Sequence, residues 1–481
     1  MKNEKSVANN IMWKFAERIS AQLVSLVVSV ILARLLEPSH YGLISIVTIF
    51  ITLANVFVSD GFGSALIQKK NADNTDFSSV LWINIIFSVI LYFALFIAAP
   101  YLTSFYGDGY ELLTPVMRVL GLRLILAAIN SVQQAYVSRQ MIFKKFFLAT
   151  LLGTSVSAVV GITMAYAGFG VWALVAQYLT NTFVDTMILG MSLGWIPSFT
   201  IDFRRLKGLL NYGWKLLGAS LLTNGFVELR ALIIGKVYSG ADLAYYDKAK
   251  QFPNLIIANV NVSLGSVLFS KMSQQQDDIK NLKETTKKSI RFSSYLMMPL
   301  MIGLLVVSKN FVHVILTDKW LPCVEMLQLF CIIYMFAPLH TANLQAIKAV
   351  GRSDIYLKLE VIKKVVELCT LVVSMWISVH AIVISLAIVT TFFTYLNAMP
   401  NKKLIDYSFK EQIMDMIKPF IMSCIMGAIV YCVGMLHIDG VLMLVMQVSV
   451  GCIIYVLESI ILKVHEFTTL ISMAKSITLR G

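Results

Sequence analysis

Basic side chains lie within stretches of the sequence that are otherwise apolar, and these side chains are the ones most able to bind a ligand. Arginine grips phosphate through a planar fork of N–H donors, whereas lysine acts as a point charge. Six cations in the first, fourth, seventh and eighth apolar stretches are therefore candidate ligands for an anion such as a pyrophosphate: Arg18, Arg123, Arg230, Lys248, Lys14 and Lys215. For each one, the alternative is that it reaches the lipid headgroups or pairs with another helix.

Uncharged polar residues continue these cationic positions at helical spacing. Three sets fall on one helical face each: Lys14, Arg18 and Gln22; Arg123, Asn130 and Gln134; Ser220, Asn224 and Glu228. Residues three, four or seven apart share a face of an α-helix. A polar stripe on an apolar helix must turn towards protein or a water-filled cavity. We predict that Gln22, Asn130, Gln134 and Asn224 line the same cavity as the cations.

The acidic residues and cysteines indicate no reaction chemistry. Asp60 and Glu228 are candidates for binding a coupling ion, whereas Glu360–Lys364 and Lys363–Glu367 have the spacing of structural ion pairs. The sequence has no nucleophile elbow, phosphate-binding loop or cluster with metal-ligand spacing. The six cysteines include no pair at metal-binding spacing. We therefore expect no enzyme activity, no cofactor and no metal.

Composition places these residues in a membrane. The chain has 481 residues, of which 58% are hydrophobic and 14% charged, and its mean hydropathy is +0.76. Soluble proteins carry roughly 25% charged residues, so the sequence predicts an integral membrane protein. Its apolar runs reach about twenty residues, the length of a membrane-spanning helix rather than of a barrel strand. The net charge of +13 does not indicate nucleic-acid binding, because most of it lies in the loops of one side.

We predict about fourteen membrane-spanning helices. They cover 12–36, 41–66, 77–100, 112–137, 145–167, 170–194, 212–235, 244–269, 292–316, 322–347, 354–378, 381–399, 418–436 and 440–462. With this count, the basic residues between the spans fall on one side except for Lys236, Lys309 and Lys319. Positive loops face the cytoplasm, so both termini are predicted to be cytoplasmic.

An internal repeat indicates two similar halves. Trp13-Lys14 opens the first span and Trp214-Lys215 the seventh, and Gln134-Ala135 has a counterpart in Gln345-Ala346. An even number of spans in each copy gives a parallel repeat with a substrate path between the halves. The predicted fold is all-α and polytopic. It has six-helix lobes at 1–194 and 212–400, a cytoplasmic amphipathic linker at 195–211, and an extra helix pair with a cytoplasmic tail at 401–481.

The chain resembles the Wzx-type flippases of bacterial polysaccharide synthesis, within the superfamily of multidrug, oligosaccharidyl-lipid and polysaccharide exporters. The resemblance rests on RLLEPSHYGL after the first span, SDGFGSALIQKK, IDFRRLKGLLNYG in the linker and GADLAYYDKAKQFPNL in the second half. It implies a V-shaped bundle that alternates between inward-open and outward-open states. In the family, cavity-lining basic residues bind the pyrophosphate, a role that the resemblance suggests for Arg18, Arg123, Arg230 and Lys248.

The function implied by the resemblance is movement of undecaprenyl-pyrophosphate-linked oligosaccharide across the bacterial inner membrane, for lipopolysaccharide, capsule or exopolysaccharide. The expected partners are this substrate and membrane lipids, together with polysaccharide polymerase or export machinery, and a monomer is expected. Three alternatives stay open. They are a multidrug exporter of the same superfamily, a membrane-embedded polysaccharide polymerase or ligase, and a non-transporting assembly partner.

Overall fold

The computed structural model of the protein describes residues 20–59, 66, 72–273, 278–436, 438 and 440–478. Lys14, Arg18 and Asp60 lie outside this range, as does the side chain of Lys215, whose backbone belongs to a described helix. Within the described residues the fold is helical and contains no strand.

The first half of the chain forms nine helices in the described residues. They are α1 (Ser20–Leu35), α2 (Pro38–Ser59), α3 (Asn74–Tyr106), α4 (Leu113–Leu120), α5 (Arg123–Gln140), α6 (Phe143–Tyr166), α7 (Val171–Leu193), α8 (Phe203–Val237) and α9 (Gly240–Ser273).

Nine further α-helices and one 3₁₀-helix follow in the described part of the second half. They are α10 (Ile279–Ile315), the 3₁₀-helix Asp318–Cys323, α11 (Val324–Met335), α12 (Ala337–Ala349), α13 (Ser353–Ser374), α14 (Val379–Ala398), α15 (Asn401–Leu404), α16 (Phe409–Gly434), α17 (Val441–Ile461) and α18 (His465–Thr478).

Nine helical stretches of the described chain are long and apolar enough to cross a membrane. The longest is Ile279–Ile315 with 37 residues, and the shortest, such as Val441–Ile461, have 21. At 1.5 Å per residue, even the shortest spans about 30 Å, the thickness of a bilayer core. The protein is therefore an all-α polytopic membrane protein, as predicted. The count of fourteen spans remains a prediction.

Two predicted spans are interrupted in the structure. The span at 112–137 consists of α4 and α5, which meet at a turn around Gly121, and the span at 322–347 consists of the 3₁₀-helix, α11 and α12. Pro322 is the last but one residue of that 3₁₀-helix, and Pro338 lies in the first turn of α12. Proline is tolerated at the start of α12 because its missing N–H would have no helical partner there.

The predicted linker begins as an extended segment bound to α3. Trp82 Nε1 donates to the Ser198 carbonyl oxygen at 2.9 Å, and the Ser198 N–H donates to Ser78 Oγ at 2.9 Å. Asp202 N–H donates to Ser79 Oγ at 3.0 Å, directly before α8 begins. These bonds satisfy backbone groups that form no helix and fix where α8 starts.

The chain forms two compact units, Met1–Ala244 and Tyr245–Gly481. In the first, α2 packs against α5 and α8, α3 packs against α5, and α7 packs against α5 and α6. The contact between α2 and the start of α9 is so close that a Cβ at Gly42 would overlap the carbonyl oxygen of Gly240. These two units are defined by which residues contact one another. The predicted lobes were defined by a repeat in the sequence, so their boundaries stay a prediction.

In the second unit, α10 packs along α16, and α14 packs against α11 and α13. Arg291 of α10 forms an ion pair with Asp415 of α16, and Tyr407 donates a hydrogen bond to the same carboxylate at 2.7 Å. Burial raises the pKa of the Tyr407 phenol, and this hydrogen bond raises the pKa further. The phenol therefore keeps its proton and remains a donor at neutral pH.

Candidate substrate-binding site

The first residue of α5 presents a guanidinium to a polar face of α7. Arg123 Nε donates to Thr182 Oγ1 at 3.0 Å, and the guanidinium carbon lies 5.4 Å from the centroid of the Tyr178 ring. Tyr178 and Thr182 are one helical turn apart, so both face α5. The ring and the hydroxyl hold one edge of the guanidinium and leave its two terminal nitrogens for another ligand.

Within the part of the chain that the structure describes, Arg123 has no carboxylate partner. Among the described residues, its Nε makes its only hydrogen bond, and no acidic oxygen lies within 4.0 Å of its nitrogens. Two cations of α13, by contrast, have acidic partners: Lys363 pairs with Glu360 at 2.5 Å and Lys364 with Glu367 at 2.9 Å. An uncompensated charge in a bilayer is costly and is a functional candidate by default.

The spacing of these two ion pairs is i,i+3. Glu360–Lys364 and Lys363–Glu367 were predicted from i,i+4 spacing, and the structure instead gives Lys363 to Glu360 and Lys364 to Glu367. Both spacings place the two side chains on one helical face, so side-chain packing decides which partner is closer. Their interpretation as structural ion pairs is unchanged.

The polar stripe predicted on α5 continues from Arg123 into a hydrogen-bonded network. Asn130 Nδ2 donates to Asp185 Oδ2 at 3.0 Å, and Asn130 Oδ1 accepts a bond from Gln134 Nε2. Thr150 of α6 donates to the other carboxylate oxygen of Asp185 at 3.5 Å. Asn130 is buried and Gln134 is exposed. From Arg123 to Gln134 the stripe extends about 16 Å along the helix.

Small residues on α6 allow α7 to approach closely enough for this network. Five buried residues recur at every fourth position of α6: Ala149, Gly153, Ser157, Gly161 and Ala165. A Cβ at Gly153 would lie 3.2 Å from the Asp185 Cβ, and one at Gly161 would lie 2.9 Å from the Gln177 Cβ. Such stripes let membrane helices pack backbone to backbone, which brings Thr150 to Asp185.

The other predicted residues of the first unit lie on α1 and α8. Gln22 is half-buried on α1. Asn224, Glu228 and Arg230 are half-buried on α8, and the buried Nε of Arg230 has no hydrogen-bond partner among the described residues. The hydrogen bonds described above join Asn130, Gln134 and Asp185 into one network, and Arg123 bonds separately to Thr182 on the same face of α7 as Asp185. These bonds do not include the four residues on α1 and α8.

Lys248 belongs to the second unit and lies in its packed interior. It is 5% exposed, its Nζ donates to Gln251 Oε1 at 3.2 Å, and it lies 5.7 Å from the centroid of the fully buried Trp320 ring. A lysine enclosed in this way contributes to packing in this conformation. The roles predicted for Lys14, Arg18, Asp60 and the Lys215 side chain concern groups outside the described residues.

The sequence prediction missed the partners of the stripe on α7 and α6. Tyr178, Thr182 and Asp185 were not predicted as site residues, although steps of four and three place them on one face of α7. Asp185 is the single acidic residue of α7. A lone carboxylate on a polar face of an apolar helix is a recognisable signal.

The arrangement suits binding rather than reaction chemistry. It offers a guanidinium for which the described chain supplies no acidic partner, and on the same helical faces amide and hydroxyl groups that can both donate and accept hydrogen bonds. In the described residues, no three His, Cys, Asp or Glu side chains converge as metal ligands. A ligand with a phosphate next to hydroxyl groups matches this set.

Known proteins are similar to the chain along most of its length. It is 22% identical over 318 residues to the succinoglycan biosynthesis transport protein ExoT of Rhizobium meliloti, a match that covers 66% of this chain and 64% of that relative, just under two thirds. It is 22% identical to the teichuronic acid biosynthesis protein TuaB of Bacillus subtilis over 94% of both chains. It is 23% identical to the lipopolysaccharide biosynthesis protein WzxC of Escherichia coli over 85% of this chain and 84% of WzxC.

The fold is also similar to a solved structure, that of the lipid II flippase MurJ in an inward closed conformation. The TM-score is 0.74, the identity is 14%, and the match covers 94% of this chain and 98% of MurJ. A sequence profile described as polysaccharide biosynthesis protein matches residues 31–325. With more than half of its length matched by that profile, the chain belongs to the polysaccharide biosynthesis protein family.

Proposed function

We propose that the protein is a flippase for a lipid-linked oligosaccharide in the synthesis of a bacterial surface polysaccharide. Its substrate carries sugars on a pyrophosphate that is attached to an undecaprenyl chain. The observation that carries the proposal is the guanidinium of Arg123, which has no acidic partner among the residues that the structure describes and shares a face of α5 with Asn130. Relatives named for succinoglycan transport, teichuronic acid synthesis and lipopolysaccharide synthesis support this substrate class.

The physics of the substrate explains why such a site is useful. The charged, hydroxyl-rich head cannot cross hydrocarbon unaided, whereas the lipid tail can stay in the bilayer throughout. Arg123 supplies a permanent charge for the pyrophosphate, and Asn130 and Gln134 supply hydrogen bonds for sugar hydroxyls. No covalent bond in the substrate has to change, so the proposal includes transport alone and no enzymatic step.

The predicted alternatives fit these residues less well. A multidrug exporter that takes cationic drugs would place a negative charge where Arg123 provides a positive one.

We also infer that the protein lies in the cytoplasmic membrane with both termini in the cytoplasm, because positively charged loops face the cytoplasm. A monomer that delivers its substrate to a polymerase or export machinery on the outer face is part of the proposal.

Depletion of the protein in its host tests the proposal in cells. Because the substrate would no longer cross, carrier-linked oligosaccharide should accumulate with its head on the cytoplasmic leaflet, and surface polysaccharide should be lost. Arg123→Ala should reduce export at least about tenfold while the protein stays in the membrane, because one charge-assisted contact is lost. Export is quantified as surface polysaccharide, and insertion by immunoblot of membrane fractions.

Arg118→Ala is the matched control. Arg118 lies on α4, and its guanidinium is bound to α3, with Nε 3.4 Å from the Phe96 carbonyl oxygen and its carbon 4.1 Å from the centroid of the Phe96 ring. The Arg118→Ala variant loses the same positive charge but leaves the proposed site unchanged, so export should stay within about twofold of wild type. Full export by the Arg123→Ala protein would contradict the proposal for this residue.

A further inference from the structure

A second polar cluster lies in the second unit, where α12 packs against α13 and α14. His340 of α12 is half-buried and contacts two buried residues of α14. Its Nδ1 lies 2.8 Å from Asn397 Nδ2, and its Nε2 lies 3.3 Å from Thr394 Oγ1. The cluster shares no residue with the site at Arg123.

The partners of His340 define where its proton lies. An amide nitrogen only donates, so Asn397 Nδ2 donates to Nδ1, which must be unprotonated. The Thr394 hydroxyl proton already points to the Thr390 carbonyl oxygen at 3.2 Å, so Thr394 Oγ1 accepts from Nε2–H. These contacts fit the tautomer of His340 that carries its hydrogen on Nε2 and its lone pair on Nδ1.

The carboxamide of Asn397 has both a donor and an acceptor, so it can bind His340 in a second protonation state as well. Its Oδ1 is buried and has no hydrogen-bond partner among the described residues. If Nδ1 gained a proton, the imidazole N–H and the Asn397 amide N–H would face one another and repel. Rotation of the carboxamide by half a turn would replace the donor with the unused oxygen, which would then accept from Nδ1–H.

We propose that His340 and Asn397 form a proton-binding site whose loading and release are coupled to the transport cycle. The proton binds at the Nδ1 lone pair and leaves from the same atom, while the Asn397 amide turns from donor to acceptor and back. No oxidant, reductant or second ligand is needed. The inference rests on the proposed function, because it names the ion that drives it.

The charges around the ring explain how a bound proton could move helices. Lys363 of α13 is buried and paired with Glu360, and α13 packs against both α12 and α14. Under the proposal, a proton on His340 adds a positive charge near these helices, which Lys363 repels and Glu360 attracts. Loading the site would therefore change how α13 packs against α12 and α14.

Other charged residues on the helices that pack against α12 are paired with another residue or exposed to solvent. Glu325 of α11 lies 3.3 Å from His380 of α14, and Arg291 of α10 pairs with Asp415. Lys402 and Lys403 of α15 are exposed, and Lys348 of α12 itself lies 4.1 Å from the centroid of the Tyr356 ring. Among the described charged residues of these helices, Lys363 is the buried cation, so its interaction with a proton on the ring is the least screened by water.

A layer of buried amides begins one helical turn after His340, and no hydrogen bond of the described residues joins this layer to the His340 ring. Asn343, one turn after His340 on α12, donates to Gln412 Oε1 at 2.8 Å and accepts from Asn401 at 2.6 Å. Gln412 in turn donates to the Tyr407 carbonyl oxygen at 3.3 Å. Tyr407 bonds to Asp415, which pairs with the half-exposed Arg291. Polar groups thus continue from Asn343 towards solvent.

The test uses the purified full-length protein in vesicles of phosphatidylethanolamine and phosphatidylglycerol, with lipid-linked oligosaccharide extracted from the host. Translocation is read as the fraction of heads oxidised by external periodate. For one coupled proton, a gradient of one pH unit should change the wild-type rate by up to about tenfold, with opposite sign for opposite gradients. His340→Asn should lose this response, and His313→Asn, at an exposed histidine beside Asp318, should keep it.

A second variant keeps the test informative if His340→Asn does not fold. Asn397→Asp places a carboxylate beside Nδ1 and stabilises the imidazolium, so the pH at which translocation is half-maximal should rise. An unchanged pH profile in Asn397→Asp, or a wild-type gradient response in His340→Asn, would overturn the proton site. If the protein translocates its substrate but does not respond to the gradient, the proton site is wrong and the proposed flippase function still holds. If the wild-type protein translocates no substrate, the proposed function itself is contradicted.

Discussion

Asp185 and Arg123, the two ionisable residues of the site at α5 and α7, differ in how many of their polar atoms are hydrogen-bonded. The Asp185 carboxylate accepts hydrogen bonds from Asn130 and Thr150, so each of its oxygens has a partner. Arg123 has one hydrogen bond through Nε, and its terminal nitrogens have no partner in the described residues. A satisfied anion is a structural element. Arg123, with no acidic partner in the described ranges, is instead a candidate for binding an anionic ligand.

The hydrogen bond between Asn130 and Asp185 should be measurable as a coupling. Asn130→Ala and Asp185→Ala should each lower the free energy of unfolding by about 1–3 kcal/mol, because each leaves a buried polar partner unsatisfied. The double variant should lose less than the sum of the two. The midpoint of thermal unfolding in detergent measures all three.

Glu111→Ala provides the control for that cycle. Glu111 is exposed in the turn before α4 and accepts only from the Gly109 N–H at 3.2 Å, so its removal should change stability by no more than about 0.5 kcal/mol. Additive effects of Asn130→Ala and Asp185→Ala would show that the two side chains do not depend on one another.

The sequence predicted one side of the site and missed the other. The spacing of Arg123, Asn130 and Gln134 predicted one polar face of α5, and the structure places Arg123 and Asn130 against polar residues of α7. Their role in binding stays a prediction. Their partners on α7 could not be assigned in this way, because helical periodicity says which residues share a face and not which helix that face meets. His340 was not predicted as a site residue for the same reason, since its partners Thr394 and Asn397 belong to another helix.

At the scale of helices, the site depends on how closely α6 and α7 pack. Gly153→Val should push the helices apart and lower the free energy of unfolding by about 1–3 kcal/mol, because the new side chain meets the Asp185 Cβ and backbone nitrogen, both 3.2 Å from its Cβ. Because Thr150 and Asp185 then separate, export should fall too. Thermal unfolding in detergent and surface polysaccharide are the measurements.

Gly225→Val on α8 is the matched control, because a Cβ at Gly225 meets nothing within 4 Å. In a helix, replacing glycine by valine is slightly favourable for the backbone, so stability should be unchanged or slightly higher. If both glycine variants behaved alike, the close packing of α6 on α7 would not be what holds the network together.

Hydropathy predicted where helices lie better than where they bend or begin. The apolar runs correspond to helices throughout the described chain, since length and hydrophobicity decide membrane insertion. The turn at Gly121 between α4 and α5 was not predicted, because both neighbouring segments are apolar and the turn contains no proline. The start of α8 at Phe203 was also missed, since it depends on hydrogen bonds between residues 198–202 and α3.

At the scale of the whole molecule, the all-α polytopic fold and the family followed from composition and from the motifs at the helix ends. The first unit contains the site at Arg123, and the second contains the proton-site candidate at His340. Under the proposed function, one unit would bind the anionic head and the other the driving ion. An internal repeat in the sequence could not predict this difference, because it describes what the two halves share.

The measurement that tests the central claim most directly is translocation by the purified protein in vesicles. We predict that periodate oxidises about half of the oligosaccharide heads in vesicles without protein, which have heads on both leaflets, and nearly all of them once the wild-type protein is present. Arg123→Ala vesicles should resemble protein-free ones over the same interval, and Arg118→Ala vesicles should resemble wild type. Equal oxidation with and without the wild-type protein would contradict the account.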